Sequence, residues 1–254
     1  AGTGGLYVAS GLTNGTSTTN GALVRVTGDL VIGSNAWFCP MSHPTNGGSV
    51  RVVASNLAVA AGGGVNADGM GFRSYAAIAY GPGAGISVGS RGGGGGYGGA
   101  GGRGDNPAAV GGTTYGETNR PVQAGSGGAF AYSPQPGFGH GGGHVRIEVA
   151  DATIEGALSA DGRNSISQYG GGGSGGSVLL LCNTFQGGTG AVIRANGGNG
   201  GNVAGGGGGG RLAVALRLSP TDRELLIGGS PVPGLVAFSR YGPYAGVFSV
   251  TNGT

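Results

Sequence analysis

One sequence unit recurs along the chain, and its recurrence constrains the fold more than any other feature. The unit begins with two glycines, continues as a short strand of alternating Val, Ile or Leu, adds a second short strand, and ends in Ala-Asp-Gly or Ala-Asn-Gly. Copies cover Gly47 to Gly69, Gly142 to Gly162 and Gly175 to Gly198, and a weaker copy starts at Asn20. A repeat of this kind predicts a stack of similar units.

The spacing of the repeat indicates how the units stack. Val145, Val178 and Leu212 hold equivalent places, 33 and 34 residues apart. Short strands separated by Asp-Gly or Asn-Gly corners indicate β structure. We therefore predict an all-β fold, a right-handed parallel β-helix (β-solenoid). The segment SPTDRELLIGG is the one helix candidate, with Ser219 placed as its N-cap.

A glycine-rich excursion follows each Asp-Gly or Asn-Gly corner. The longest covers residues 70–142, and shorter ones follow Asp161 and Asn196. Because they leave the unit at the same place, we expect them to stack along one flank as polyproline-II-like insertions. Strands lie about 4.8 Å apart, and only glycine lets backbones pack this closely. Tyr97, inside RGGGGGYGGAGGRGD, is predicted to seal this layer.

The repeats divide the chain without breaking it into separate domains. We predict a single β-solenoid domain over residues 1–254. Residues 1–69 form its N-terminal coils, 70–142 the long glycine-rich excursion, and 143–218 the regular coils. Residues 219–254 are predicted to form a C-terminal cap or assembly segment.

Charge and cysteine content limit the function classes. Only 9% of the residues are charged, the net charge is +3, and all 13 basic residues are Arg, so the chain lacks the basic footprint of a nucleic-acid-binding protein. No apolar run approaches the length of a membrane span. The low charge and the Thr/Asn/Gly-rich termini indicate an exported protein in its mature form.

Cys39 and Cys182 are predicted to be buried, either as free thiols or as a single disulfide.

The segments GGGGSGGSVLLLC, GGTGAVIRANGGNGG and GGGGGGRLAVA resemble the Gly-rich parallel β-helix repeats of large secreted and surface proteins of bacteria. The resemblance is good from about Gly142 to Leu218, is fainter back to Asn20, and does not cover Pro220 to Thr254. It implies an extracellular β-solenoid and supplies no catalytic residues.

Polar residues at the corners raise an enzymatic alternative. Asp68 and Asp161 hold equivalent corner positions and Asn196 continues the ladder, so these side chains are predicted to cap their own turns. Carbohydrate-active β-helices use clustered carboxylates, and Glu148 and Glu155 lie near Asp161 in sequence. An exposed strand face explains both glutamates equally well.

The motif HGGGH, from His140 to His144, suggests a metal site but has no third ligand nearby. We therefore expect no catalytic residue, no metal and no cofactor.

The two ends of the chain carry the assembly prediction. GGLYVAS near the start and AGVFSVTNGT at the end alternate like edge strands, and an open solenoid end pairs with another chain unless it is capped. The predicted assembly and packing residues are Tyr7, Val8, Tyr97, Val247, Phe248 and Val250. We expect a homo-oligomer, with a head-to-tail filament as one form.

These features favour a non-enzymatic, extracellular structural protein, a subunit or module of a surface fibre or filament, sheath or adhesin. The alternative is a carbohydrate-active or carbohydrate-binding parallel β-helix, similar to a polysaccharide lyase or hydrolase. A contact with polysaccharide or with a cell surface is left open by both interpretations.

Overall fold

A computed structural model describes residues 4–12, 21–75, 78–118, 120–130, 139–228 and 243–254. These residues are mostly β, with several parallel sheets and one helix, so the all-β prediction is confirmed. Parts of the predicted N-terminal coils, of the long excursion and of the predicted C-terminal cap lie outside the described residues.

The strands are short and are numbered in chain order. The first seven are β1 (Gly4–Ala9), β2 (Ala22–Arg25), β3 (Leu30–Ile32), β4 (Ala36–Met41), β5 (Val50–Val53), β6 (Asn56–Val59) and β7 (Gly64–Asn66). Within the long excursion lie β8 (Ser74–Tyr75), β9 (Ile78–Ala79), β10 (Ser87–Val88) and β11 (Arg91–Gly92). The remaining elements are β12 (His144–Glu148), β13 (Asp151–Ile154), β14 (Ala157–Ser159), β15 (Ser177–Cys182), β16 (Thr184–Gln186), β17 (Val192–Arg194), β18 (Arg211–Leu216), α1 (Pro220–Gly228) and β19 (Val247–Ser249).

Three parallel sheets organise these strands. Sheet 1 has the order β1-β4-β7-β14-β17-β19, sheet 2 the order β18-β15-β12-β5-β2, and sheet 3 the order β16-β13-β6-β3. The chain visits sheet 2, then sheet 3, then sheet 1, and repeats this order four times from β2 to β17. Val145 pairs with Val178, which pairs with Leu212, so the predicted equivalence of these residues is confirmed.

The core lies between the three sheets and follows the two-residue period of the strands. In β5, Val50 and Val52 are buried, whereas Arg51 between them points to the other side of the sheet. The same rows continue in the next repeat with Val145 and Ile147. Each such aliphatic side chain contributes about 1.5–3 kcal/mol by its burial.

Helix α1 begins where the sequence predicts it. Ser219 is the N-cap, since its Oγ accepts the N–H of Asp222 at 3.1 Å, and Pro220 fits the first helical position, where an N–H is not needed. Leu226 of α1 packs against Leu179 and Leu181 on the outer face of sheet 2. Among the described residues, no helix has the length and apolar character needed to cross a bilayer.

The glycine-rich excursions are packed against one another. We call residues 92–102, 171–176 and 205–210 the glycine layer. The N–H of Gly95 donates to Gly172 O at 2.9 Å, and the N–H of Gly208 donates to Gly95 O at 2.8 Å. A Cβ added at most of these glycines would overlap a backbone atom of another segment. Side chains are therefore excluded by neighbouring backbone, as the sequence predicted.

Both cysteines are free and buried, Cys39 in β4 and Cys182 in β15. Cys182 packs in the main core, and burial raises the pKa of its thiol to about 12. A thiol with so high a pKa is protonated and unreactive at neutral pH. Of the two sequence-based alternatives, the structure has the free thiols.

Candidate assembly surfaces

The edge formed by β1, β2 and β3, called the first end, exposes apolar side chains. Among the residues that the structure describes, strand β1 pairs with β4 on one side only. Leu6 is 61% exposed and Tyr7 64% exposed, while Val8 is half-buried against the core. The strand GGLYVA carries no charge, although charged residues and prolines are the usual protection of an edge strand.

The opposite edge, formed by β16, β18 and β19 and called the last end, has the same character. Val247 is 54% exposed, Phe248 44% and Val250 47%. The ring of Phe248 lies 4.8 Å from that of Tyr244, and Tyr244 stacks on the buried ring of Phe185 at 4.6 Å. Phe248 is thus held in place while nearly half of its surface stays open.

Leu6 at the first end and Phe248 at the last end belong to the same row of side chains. One row of sheet 1, defined by the strand register, points into the core and ends in exposed residues on both sides. It contains Leu6, Phe38, Val65, Leu158, Ile193 and Phe248. The four inner members are at most 4% exposed. Within the described strands, Leu6 and Phe248 each lack on one side the neighbour that every inner member has.

Tyr97, the predicted sealing residue, lies completely buried beside the glycine layer. Its ring centroid is 4.8 Å from that of Tyr115, and the guanidinium of Arg211 lies over it at 5.4 Å. Burial raises the pKa of Tyr97 to about 12. The position is therefore one of internal packing.

The corner residues form hydrogen bonds between repeats. The N–H of Asp161 donates to Asp68 Oδ1 at 2.7 Å, and the N–H of Asn196 donates to Asp161 Oδ1 at 2.7 Å. The N–H of Thr251 continues the series to Asn196 Oδ1 at 3.0 Å. Each of these side chains was predicted to cap its own turn, and this prediction is wrong. The hydrogen bonds link successive corners instead, because the corners stack in register. An Asp or Asn serves equally, since the acceptor is a side-chain oxygen.

One arginine contacts both corner carboxylates. Arg194 contacts Asp161 Oδ2 at 2.8 Å and Asp68 Oδ2 at 3.3 Å. Burial raises the pKa of Asp161, which the paired arginine opposes. The two carboxylates therefore have a structural role that accounts for their contacts.

The acidic residues of the enzymatic alternative do not form one site. Glu148 lies on the outer face of sheet 2, Glu155 is an exposed residue between β13 and β14 that accepts the N–H of Gly188, and Asp161 follows β14. Each has its own partner. In glycosidases that use paired carboxylates, the two carboxyl groups flank the scissile bond about 5–9.5 Å from each other.

Glu148, for which an exposed strand face was one of two sequence-based explanations, is buried instead. It is 1% exposed and accepts two hydrogen bonds from Arg51, at 2.8 and 2.7 Å, and one from Arg146 at 2.9 Å. Burial alone would raise the pKa of Glu148, but the hydrogen bonds and charges of the two arginines lower it below its usual value. The outer face of sheet 2 is covered by α1, with Arg223 3.9 Å from Glu148, and by the long excursion, since Val122 packs in the same cluster as Leu226.

The two histidines of HGGGH form hydrogen bonds with different residues. His140 Nδ1 accepts the N–H of Ser74 at 2.8 Å, whereas His144 Nδ1 lies 2.7 Å from Ser177 Oγ. Ser177 Oγ donates to the carbonyl of Gln123 at 2.6 Å, so His144 Nδ1 is the donor to Ser177. No cluster of three His, Cys, Asp or Glu side chains with metal-binding geometry occurs within the described residues.

Burial of His144 makes stability depend on pH. Burial, reinforced by Arg146, lowers the pKa of His144 to about 3, against about 6.5 in the unfolded chain. Between these two pKa values the unfolded chain binds a proton that the folded chain does not. The contribution of His144 to the free energy of unfolding is therefore fully present above about pH 6.5 and falls by about 1.4 kcal/mol per pH unit below it.

We expect the free energy of unfolding, measured by denaturant titration from pH 7.5 to 5, to decline steeply in the wild type. His140, whose pKa burial also lowers, contributes in the same direction. His144→Gln should leave a shallower decline, and an unchanged slope would contradict the assignment.

Comparison of the chain with protein-family models, with curated proteins and with solved structures found no match.

Proposed function

We propose that this chain is an extracellular structural protein, a subunit or module of a surface fibre, sheath or adhesin, which self-assembles through its terminal β-strands. We further propose that its three sheets form a right-handed parallel β-helix, with polyproline-II-like glycine segments stacked along one flank. The observation that carries the functional proposal is that the outermost strand of sheet 1 at each end, β1 or β19, is uncharged and exposes large apolar side chains.

The order of the strands supports the β-helix. Each repeat contributes one strand to sheet 2, one to sheet 3 and one to sheet 1, and every pairing between repeats is parallel. After one strand in each of the three sheets, the chain returns to the first of them and adds a parallel strand next to the previous one. Each repeat therefore lengthens every sheet by one strand, as a coil of a β-helix does. Parallel crossovers are right-handed in nearly all proteins because of strand twist, which favours the right-handed form.

The glycine layer supports a structural role. It has no sheet ladder along its length, yet its N–H groups donate to carbonyls of other glycine segments. Extended glycine segments joined in this way are typical of polyproline-II bundles. Ordering so many glycines has a large entropic cost, and a packed layer offsets it with close backbone contacts.

The two ends support self-assembly. Leu6 and Tyr7 at the first end, and Val247 and Phe248 at the last end, expose large apolar surfaces beside unpaired backbone groups. Such an edge is a template for pairing with another chain. Because the ends differ from each other, their contact is head-to-tail, and such a contact gives an open filament when the rotation between copies does not close a ring.

Assembly of the purified chain tests this proposal. We expect light scattering and electron microscopy to show filaments that lengthen with concentration. Leu6→Asp should abolish them, because it puts a charge into the apolar contact. The matched control is Ile166→Asp, since Ile166 is 75% exposed but lies in the excursion after Asp161. A monodisperse monomer at high wild-type concentration would refute the proposal.

A further inference from the structure

We infer that a second copy of this chain docks with its β1 parallel to β19 of the first, placing Leu6 beside Phe248 and Val8 beside Val250, while Asp29 faces Arg217. This inference rests on the proposed self-assembly and specifies its register and its electrostatic contact. It assigns each end of the molecule a defined partner surface on another copy.

The shapes of the two ends permit this contact. Sheet 1 has six strands, sheet 2 five and sheet 3 four. Strand β1 therefore extends beyond β2 and β3 at the first end and is the foremost strand there. All strands of sheet 1 are parallel, so a copy stacked in the same orientation presents β1 in parallel to the open edge of β19.

The rows of inward-pointing side chains select the register. Leu6 and Phe248 end one row, and a leucine beside a phenylalanine already occurs within that row, where Leu6 pairs with Phe38. Val8 lies two residues along β1 and Val250 two residues beyond Phe248, so both rows continue together. A slip of one residue would turn Leu6 to the outer face, and a slip of two would oppose Val8 to Phe248.

Charges at another part of the ends favour the same orientation. The corner between sheets 2 and 3 carries the exposed Asp29 before β3 at the first end and the exposed Arg217 after β18 at the last end. Sheets 2 and 3 are one strand shorter than sheet 1 at the first end, so about two strand spacings, or about 10 Å, separate these backbones in the stack. A long arginine side chain and an aspartate together reach across this distance. Opposite charges at matching places fix orientation and register.

Cysteine pairs test the register on the full-length chain. Under oxidation, Leu6→Cys with Phe248→Cys should give a ladder of covalent multimers. The slipped pair, Val8→Cys with Phe248→Cys, should give at least tenfold less. The unmodified chain is the background control, because Cys39 and Cys182 are buried. Stronger cross-linking of the slipped pair would overturn the inferred register.

Charge exchange tests the orientation without new thiols. Asp29→Arg should raise the concentration needed for assembly about tenfold, because it opposes Arg217 with a like charge. Adding Arg217→Asp to the same chain should restore assembly. If the wild type forms filaments but the exchange fails to restore them, the inferred contact is wrong while the proposed function stands. If the wild type remains a monomer, both proposals fall.

Discussion

Replacing Gly207 by alanine should destabilise the protein by about 3 kcal/mol or more, toward the upper end of overpacking effects. A Cβ at this position would overlap the carbonyl group of Gly173. Neighbouring backbone holds Gly207 in place, since its N–H donates to Gly198 O and its carbonyl accepts the N–H of Gly253, both at 2.8 Å. The obstacle is backbone fixed by its own hydrogen bonds, so it cannot move aside as a flexible side chain would.

Thermal unfolding measures this effect, and a loss of 3 kcal/mol corresponds to a decrease in Tm of roughly 6–12 °C for a chain of this size. Trypsin cleavage after Arg103, which borders the glycine layer, should become faster in the variant. The matched control is Gly190→Ala, because Gly190 is exposed and a Cβ there meets no other atom. That change should be neutral or stabilising by a few tenths to about 1 kcal/mol. Equal effects at both positions would contradict the packed layer.

Replacing Glu148 by glutamine should cost about 3–5 kcal/mol, the range found when one partner of a buried ion pair is removed. The side chain keeps its shape, but its negative charge is lost. Arg146, 4% exposed, and Arg51 then face each other without the carboxylate that both contact. The cost comes mainly from the guanidinium of Arg146, which stays out of water without its counter-charge.

Denaturant unfolding at pH 7 measures this loss. The matched control is Glu155→Gln, since Glu155 is exposed and its carboxylate accepts one backbone N–H at 3.1 Å. The control should change stability by less than about 1 kcal/mol. A loss below 1 kcal/mol for Glu148→Gln would mean that the two arginines are solvated after all.

The strand repeats were predictable from the sequence because side chains encode them. A two-residue apolar period and recurring Gly-Gly and Asp-Gly corners give both the strands and their register, as the pairing of Val145, Val178 and Leu212 illustrates. Ser219 likewise predicts the start of α1, because serine is a common N-cap residue. In these places the local sequence determines the local structure, and the stacking of the repeats places copies of the same local structure next to one another.

The Glu148 cluster was not predictable in the same way. Arg51 and Glu148 are 97 residues apart, and their approach follows only from aligning β5 with β12. Even that alignment leaves the outer face of sheet 2 open to solvent. Its burial depends on how α1 and the long excursion cover the sheet, through Leu226 and Val122, and neither residue stands out in the sequence.

The pairing of glycine segments also had no sequence signal. Polyglycine has no side-chain pattern, so nothing in RGGGGGYGGAGGRGD indicates that Gly95 pairs with Gly172 and Gly208. The register of this layer is set by backbone hydrogen bonds after the sheets have aligned the segments. The sequence therefore predicts that the glycine segments pack together, but it does not predict which segments form hydrogen bonds with each other.

The glycine layer also sets an order in which the molecule can be completed during synthesis. In most repeat proteins each unit contacts only its neighbours, so a growing chain can fold unit by unit. Here the N–H of Gly102 donates to Gly206 O, and Gly95 accepts from Gly208, so the excursion after the second full repeat pairs with the one after the fourth. A nascent chain that has built three repeats still lacks these partners. Its longest glycine segment gains its last hydrogen bonds only when residues near 210 have been made.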